Sequence, residues 1–119
     1  MKNNTRILYI EDNQNTANAV KALLELKGFS VDTANSVKNA LNAIENATYD
    51  LAICDIGLPD GDGKELLKEI HRTQPVPAIA LSGYSSEEDK RKSKEAGFSE
   101  YLVKPFDLNV LLELIDQLV

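Results

Sequence analysis

The chain has no tryptophan, one cysteine and one methionine, and aromatic residues make up only 6% of it. A single cysteine excludes an internal disulfide framework and fits a reducing compartment. Long apolar runs are missing as well. "MKNNTRILYIED" offers only Ile7–Ile10 before its acidic pair, too short for a signal-peptide core, and no later run could span a bilayer. The expectation is therefore a cytoplasmic protein with no membrane insertion, or the soluble part of something larger. Basic excess is also absent: Lys and Arg total 13 against 19 Asp and Glu, a net charge of −6. That argues against direct nucleic-acid binding, which needs a basic surface. There is no repeat, low-complexity tract or linker. The 119 residues read as one domain, 1–119, long enough for a real core built mainly from aliphatic side chains.

What the chain has is alternation. Apolar runs stand at "ILYI" (7–10), "LAIC" (51–54) and "AIAL" (78–81), with weaker strand candidates at "SVDTA" (30–34) and "SEYLV" (99–103). Segments of helical period lie between them. Ala17, Val20 and Leu24 share one face, with Gly28 as a C-cap; Val37, Leu41 and Ile44 share another; Leu66, Leu67 and Ile70 a third. "SSEEDKRKSKEAG" opens on a Ser85–Glu88 capping box and closes on Gly97. Asp107 caps the last helix, with Leu111, Leu114 and Leu118 on one side. Five β-α units require a parallel sheet with helices on both faces, a doubly wound α/β fold. Continuous apolar runs belong to strands buried on both sides, so runs one, three and four are central and two and five are edges. Right-handed crossovers then give the order 2-1-3-4-5, with a switch point between strands 1 and 3.

The strand ends carry the chemistry. The first run ends in Glu11-Asp12, the third in Asp55, the fourth in Ser82, and the fifth leads into Lys104-Pro105. Parallel strands bring these ends to one edge. Two carboxylates ~4 Å apart repel by about 4 kcal/mol at an effective dielectric near 20, so three of them need protons or a cation. All-oxygen ligands at an open site suit Mg²⁺. A metal, a lysine and a hydroxyl around one aspartate make a phosphoryl site in which the carboxylate attacks. Gly57 lets its own carbonyl approach the metal, and Pro59 and the neighbouring glycines shape an uncrowded loop.

The motifs "LYIEDN", "LAICDIGLPDGDG", "AIALSGY" and "YLVKPF" resemble the receiver domains of two-component phosphorelay signalling, over residues 6–118. The resemblance implies a flavodoxin-like (βα)5 three-layer sandwich and a switch operated by phosphorylation. It makes Asp55 the phosphoacceptor, fed from a phosphohistidine on a histidine kinase or histidine phosphotransfer protein. Asp12, Asp55 and the Gly57 carbonyl would hold Mg²⁺, with Glu11 acting through a water. Ser82 would bond the phosphoryl group, Lys104 would pair with it, Pro105 would follow a cis peptide, and Tyr101 would change rotamer with Ser82. Helix 4, strand 5 and helix 5 would then change shape. Glu11 stands where the family more often has Asp. Tyr84 is a candidate shield for the acyl phosphate, against an open approach over Gly57. The stretch 80–106 is similar to receivers attached to hybrid histidine kinases. With the chain closing on its fifth helix, a single-domain regulator and a piece of a larger chain are the two expectations. The donor would dock near helix 1, where Ala19, Ala22 and Leu26 form a second apolar stripe; the alternative is that they widen the buried face.

Blander roles compete at each position. Asp55 alone could cap a turn, Ser82 could be a turn residue, Lys104 a solvated loop residue and Tyr101 plain packing; it is their convergence that favours the site. His71 reads as an exposed helix residue, Cys54 as core facing away from Asp55, and "EEDKRKSKE" as a solvated face. "GLPDGDGK" lacks phosphate-loop spacing, and "DGDG" lacks calcium-loop ligands. Three rivals remain. A dehalogenase-type aspartyl-phosphate phosphatase wants an acid where Gly57 stands. A flavodoxin-like mononucleotide binder sits poorly with an acidic crevice. A degenerate receiver acting as a scaffold would lack groups that this chain has.

Overall fold

The computed structural model describes residues 5–83 and 86–119. Its main sheet has five parallel strands: β1 (Arg6–Ile10), β2 (Ser30–Ala34), β3 (Leu51–Asp55), β4 (Ala78–Ser82) and β5 (Glu100–Val103). Their spatial order is β2-β1-β3-β4-β5, as strand polarity predicts. Between and after them run α1 (Gln14–Leu26), α2 (Val37–Asn46), α3 (Gly63–Thr73), α4 (Glu87–Ala96) and α5 (Leu108–Leu118).

Strand alternation splits the core in two. Leu8, Ile10, Ala52, Cys54, Ala78 and Ala80 face one way and pack with Ala40 and Ile44 of α2, Leu66, Leu67 and Ile70 of α3, and Ala96 of α4. Ile7, Tyr9, Leu51, Ile53, Ile79 and Leu81 face the other way, onto Ala17, Val20 and Leu24 of α1 and Leu111 and Ile115 of α5. Small strand residues lie under the larger leucines of α3, and large ones under the smaller stripe of α1, so the two layers fill by complementary volume.

The caps follow local chemistry. Asn13, Ser36, Asp62 and Asp107 accept main-chain N–H bonds at the starts of α1, α2, α3 and α5. Gly28 and Gly97 take the left-handed conformation behind α1 and α4, at φ 98° and 113°. The expected Ser85–Glu88 box is replaced: Ser86 caps α4 and accepts from Asp89 N, while Ser85 and Tyr84 lie outside the described residues. The apolar face of α2 centres on Ala40 and Ile44, with Val37 and Leu41 half-buried. That of α5 centres on Leu111 and Ile115, with Leu114 and Leu118 at its margin. The loop after Asp55 is a small antiparallel ladder, in which Gly57 pairs with Asp62 and Leu58 with Gly61.

Candidate phosphoryl site at the carboxyl edge of the sheet

The C-terminal strand ends converge. Glu11 follows β1 and extends its ladder through an N–H to Ala34 O at 2.9 Å, which leaves its side chain only 2% exposed. Asp55 closes β3 and Ser82 closes β4, both buried. Lys104 follows β5; its N–H reaches Ser82 O at 2.8 Å, and the Lys104–Pro105 peptide is cis.

The Lys104 ammonium sits between the two buried carboxylates, 2.7 Å from Asp55 Oδ2 and 3.2 Å from Glu11 Oε1. The remaining oxygens are also held. Asn13 N donates to Glu11 Oε2 at 3.2 Å, and Gly57 N donates to Asp55 Oδ1 at 3.1 Å. One carboxylate oxygen from each of Glu11, Asp12 and Asp55 falls within 4.8 Å of the others, and Asp12 is the exposed member. A hard divalent cation fits this donor set: all ligands are oxygen, three acids meet, and one opens to solvent. Among the described residues, Lys104 is the cation paired with this cluster, through Glu11 and Asp55.

The electrostatics follow from burial. Burial pushes the Glu11 carboxyl up, and the Asn13 N–H and Lys104 pull only part of the way back. For Lys104, burial acts to lower the pKa, but hydrogen bonds to Asp55 and Glu11 outweigh it and the value rises. The ammonium is thus firmly charged. Burial, then Asp55, raises the Cys54 thiol, which stays neutral and packs among α2–α4 core residues, as strand alternation predicts.

The sequence-predicted residues divide as follows. Glu11, Asp12, Asp55, Ser82 and Lys104 share one edge. Tyr101 is half-buried on edge strand β5 and packs against the α2–α4 side of the core. Ala19, Ala22 and Leu26 are exposed, Leu26 by 81%, so they do not widen the buried face. His71 is exposed, with a ring nitrogen 2.8 Å from Val76 O. The charged side chains of the run 87–95 form a solvated ladder of pairs such as Lys90–Glu87 and Lys92–Glu88, while Ser93 within it is buried.

The sequence reading gave Gly57 a carbonyl that approaches the metal and did not single out Gly63. The tight packing in this loop is at Gly63: a Cβ at Gly57 would meet nothing within 4 Å, whereas one at Gly63 would stand 2.8 Å from Ile56 Cα and 3.0 Å from Asp55 O. Tyr9 was missed too. It is fully buried, and its hydroxyl lies 3.5 Å from Glu11 Oε1. Its signal was present, since Tyr9 and Glu11 are two apart and share a strand face. A cleft of about 680 Å³ runs between α1 and α2 along β2, but it touches the acid cluster only through Glu11. The chemistry sits at the rim, not in that cleft.

The family model described as "Response regulator receiver domain" matches residues 7–116. This chain belongs to that family. Among curated relatives, the KDP operon transcriptional regulatory protein KdpE of Escherichia coli is 37% identical over 90% of this chain and 48% of its own length. The response regulator ArlR of Staphylococcus saprophyticus is 36% identical over 93% of this chain and 50% of its own. The chain thus spans about half the length of these two regulators. A CheY-like receiver domain protein from Methanospirillum hungatei superposes with TM-score 0.89 at 36% identity, covering 95% of this chain and 91% of that one. Among the described residues of this receiver, no helix is long and apolar enough to cross a membrane.

Proposed function

We propose that this receiver is a phosphoacceptor switch whose acceptor is Asp55. The observation that carries the reading is the Lys104 ammonium 2.7 Å from Asp55 Oδ2, with Glu11 and Asp12 beside it. A carboxylate oxygen of Asp55 attacks the phosphorus of a phosphohistidine on a histidine kinase or phosphotransfer protein. The P–O bond forms as the P–N bond breaks, and the imidazole leaves with the electron pair and takes up a proton. Lys104 pairs with the transferred group, and the Ser82 hydroxyl hydrogen-bonds it. Mg²⁺, held by Glu11, Asp12, Asp55 and the Gly57 main chain, would neutralise the equatorial phosphoryl oxygens when bound. Two relatives support this. TrrA of Thermotoga maritima, 33% identical with TM-score 0.86 over 97% of this chain and 99% of that one, was solved in complex with Mg²⁺–BeF. A Burkholderia pseudomallei response regulator, 26% identical, carries a phosphorylated aspartic acid and a calcium ion.

The added dianion biases Ser82 and Tyr101 and, through them, the face made by α4, β5 and α5. The donor docks on α1, where Ala19, Ala22, Leu23 and Leu26 are exposed together. Residues 1–119 act as one receiver domain in the cytoplasm, alone or attached to a larger chain such as a hybrid kinase. No small-molecule turnover is expected, because Gly57 stands where a dehalogenase-type phosphatase needs its acid. Intact mass after acetyl phosphate and Mg²⁺ tests the reading. Wild type gains one phosphoryl group and Asp55→Asn gains none; a gain in both, or in neither, overturns it.

A further inference from the structure

Helix α2 has no acid in its first turn, yet two of its first N–H groups are bound by one. The acid is Asp60, from the hairpin that follows Asp55. Its Oδ1 accepts from Val37 N at 2.8 Å and its Oδ2 from Lys38 N at 3.2 Å. An anion there also meets the positive end of the helix dipole. The helix has an ordinary cap besides, Ser36 Oγ accepting from Asn39 N at 3.1 Å. Asp60 therefore joins two elements that the chain separates by 23 positions.

The same hairpin leads back to the acceptor. Gly57 pairs with Asp62, and Gly57 N donates to Asp55 Oδ1 at 3.1 Å. At Gly61 the hairpin lies so close to α2 that an added Cβ would be 3.0 Å from Val37 Cγ2. At its far end Gly63 packs on the backbone of Ile56. The hairpin is thus held by β3, by the start of α3 and by α2.

We propose that Asp60 is a positioning residue of the phosphoryl site. Its carboxylate clamps the Gly57–Asp62 hairpin to α2 and so holds the Gly57 main chain against Asp55. The inference rests on Asp55 being the acceptor. It gives Asp60 a role beyond capping: without it the hairpin loses its hydrogen bonds to α2, and the Gly57 main chain is held less firmly against Asp55. Groups that orient metal ligands from outside typically change metal affinity by about tenfold or more when lost.

Mg²⁺ titration calorimetry, intact-mass phosphorylation with acetyl phosphate and thermal melts on four proteins test this. Asp60→Ala weakens Mg²⁺ binding about tenfold and slows phosphoryl uptake. Asp60→Asn keeps one acceptor oxygen and falls between it and wild type. Ser36→Ala removes a cap from the same helix end without touching the hairpin; it lowers the melting temperature but leaves Mg²⁺ affinity unchanged. Wild-type Mg²⁺ affinity in Asp60→Ala, or an equal loss in Ser36→Ala, overturns the proposal. Should Asp60→Ala fail to fold, Asp60→Asn decides, and wild-type affinity there overturns it. A wild type that takes up no phosphoryl group overturns the acceptor reading and this inference together. Uptake in wild type with Asp60→Ala unaltered overturns the inference alone.

Discussion

Lys104 does two jobs at one place. Its ammonium pairs with Asp55 and the buried Glu11, and in the proposed reaction it meets the incoming phosphoryl group. Removing a charged donor aimed at developing charge slows such reactions by about 100-fold or more. Lys104→Ala is therefore expected to slow phosphoryl uptake from acetyl phosphate by about that factor, measured as the rate of mass gain. Mg²⁺ binding, read by calorimetry, should survive, because all the oxygen donors remain. Glu11, Asp12, Asp55, Ser82 and Lys104 were legible as residues because each is polar where an apolar run stops. Asp60 was not. It sits in a polar loop where one more acid carries no signal, and its partners Val37 and Lys38 are reached only through the fold. The tight packing at Gly63 was not legible for a related reason: sequence shows which glycines are near Asp55, and only packing shows which one has no room for a side chain.

At the scale of elements, the hairpin and the start of α3 form one hinge-free corner. Gly63 N bonds Ile56 O at 2.9 Å, and a Cβ added there would stand 2.8 Å from Ile56 Cα and 3.0 Å from Asp55 O. Backbone cannot swing aside as a side-chain tip can, so a methyl group there must displace α3 or β3. Gly63→Ala is expected to destabilise by about 1–3 kcal/mol, read as a fall in the urea midpoint. Gly57→Ala, with open space around it, should stay within about 0.5 kcal/mol. Equal losses at both would refute the distinction. The helices were legible from their period of 3.6, and the central strands as short continuous apolar runs. The two-residue ladder was not, since it is too short to show any period. Helix α4 buries two small residues, Ser93 and Ala96, where α5 buries Leu111 and Ile115 and α2 buries Ala40 and Ile44. Its many exposed ion pairs each add little. A helix held by such small buried residues fits the proposal that its face shifts when Asp55 is phosphorylated.

Across the whole molecule, the β2 edge is closed on its α2 side by a tyrosine that ties three chain segments together. Tyr49, from the α2–β3 connection, donates to Asp32 Oδ2 on β2 at 2.6 Å, and Arg6 of β1 pairs with the same oxygen at 3.1 Å. The Arg6 guanidinium also lies 5.2 Å from the centre of the Tyr49 ring. Strand polarity made the sheet order legible, but not this closure, because its three residues come from three separate runs. Burial, then the Asp32 carboxylate, pushes the Tyr49 phenol up from 10.0 to about 12. The direction sets the pH dependence. Below the unfolded value both states keep the proton and the contribution is fully present. Between the unfolded and folded values the unfolded chain loses the proton first, so the native state holds more protons and stability falls as pH rises. Tyr9 is shifted the same way by burial and Glu11, so wild type should lose stability steeply in this range. Tyr49→Phe cannot ionise. The drop in urea midpoint between about pH 8 and about pH 11 should therefore be smaller in Tyr49→Phe than in wild type. At neutral pH the variant should be the less stable of the two, having lost the bond to Asp32. A drop as large in the variant as in wild type would remove Tyr49 from the alkaline transition.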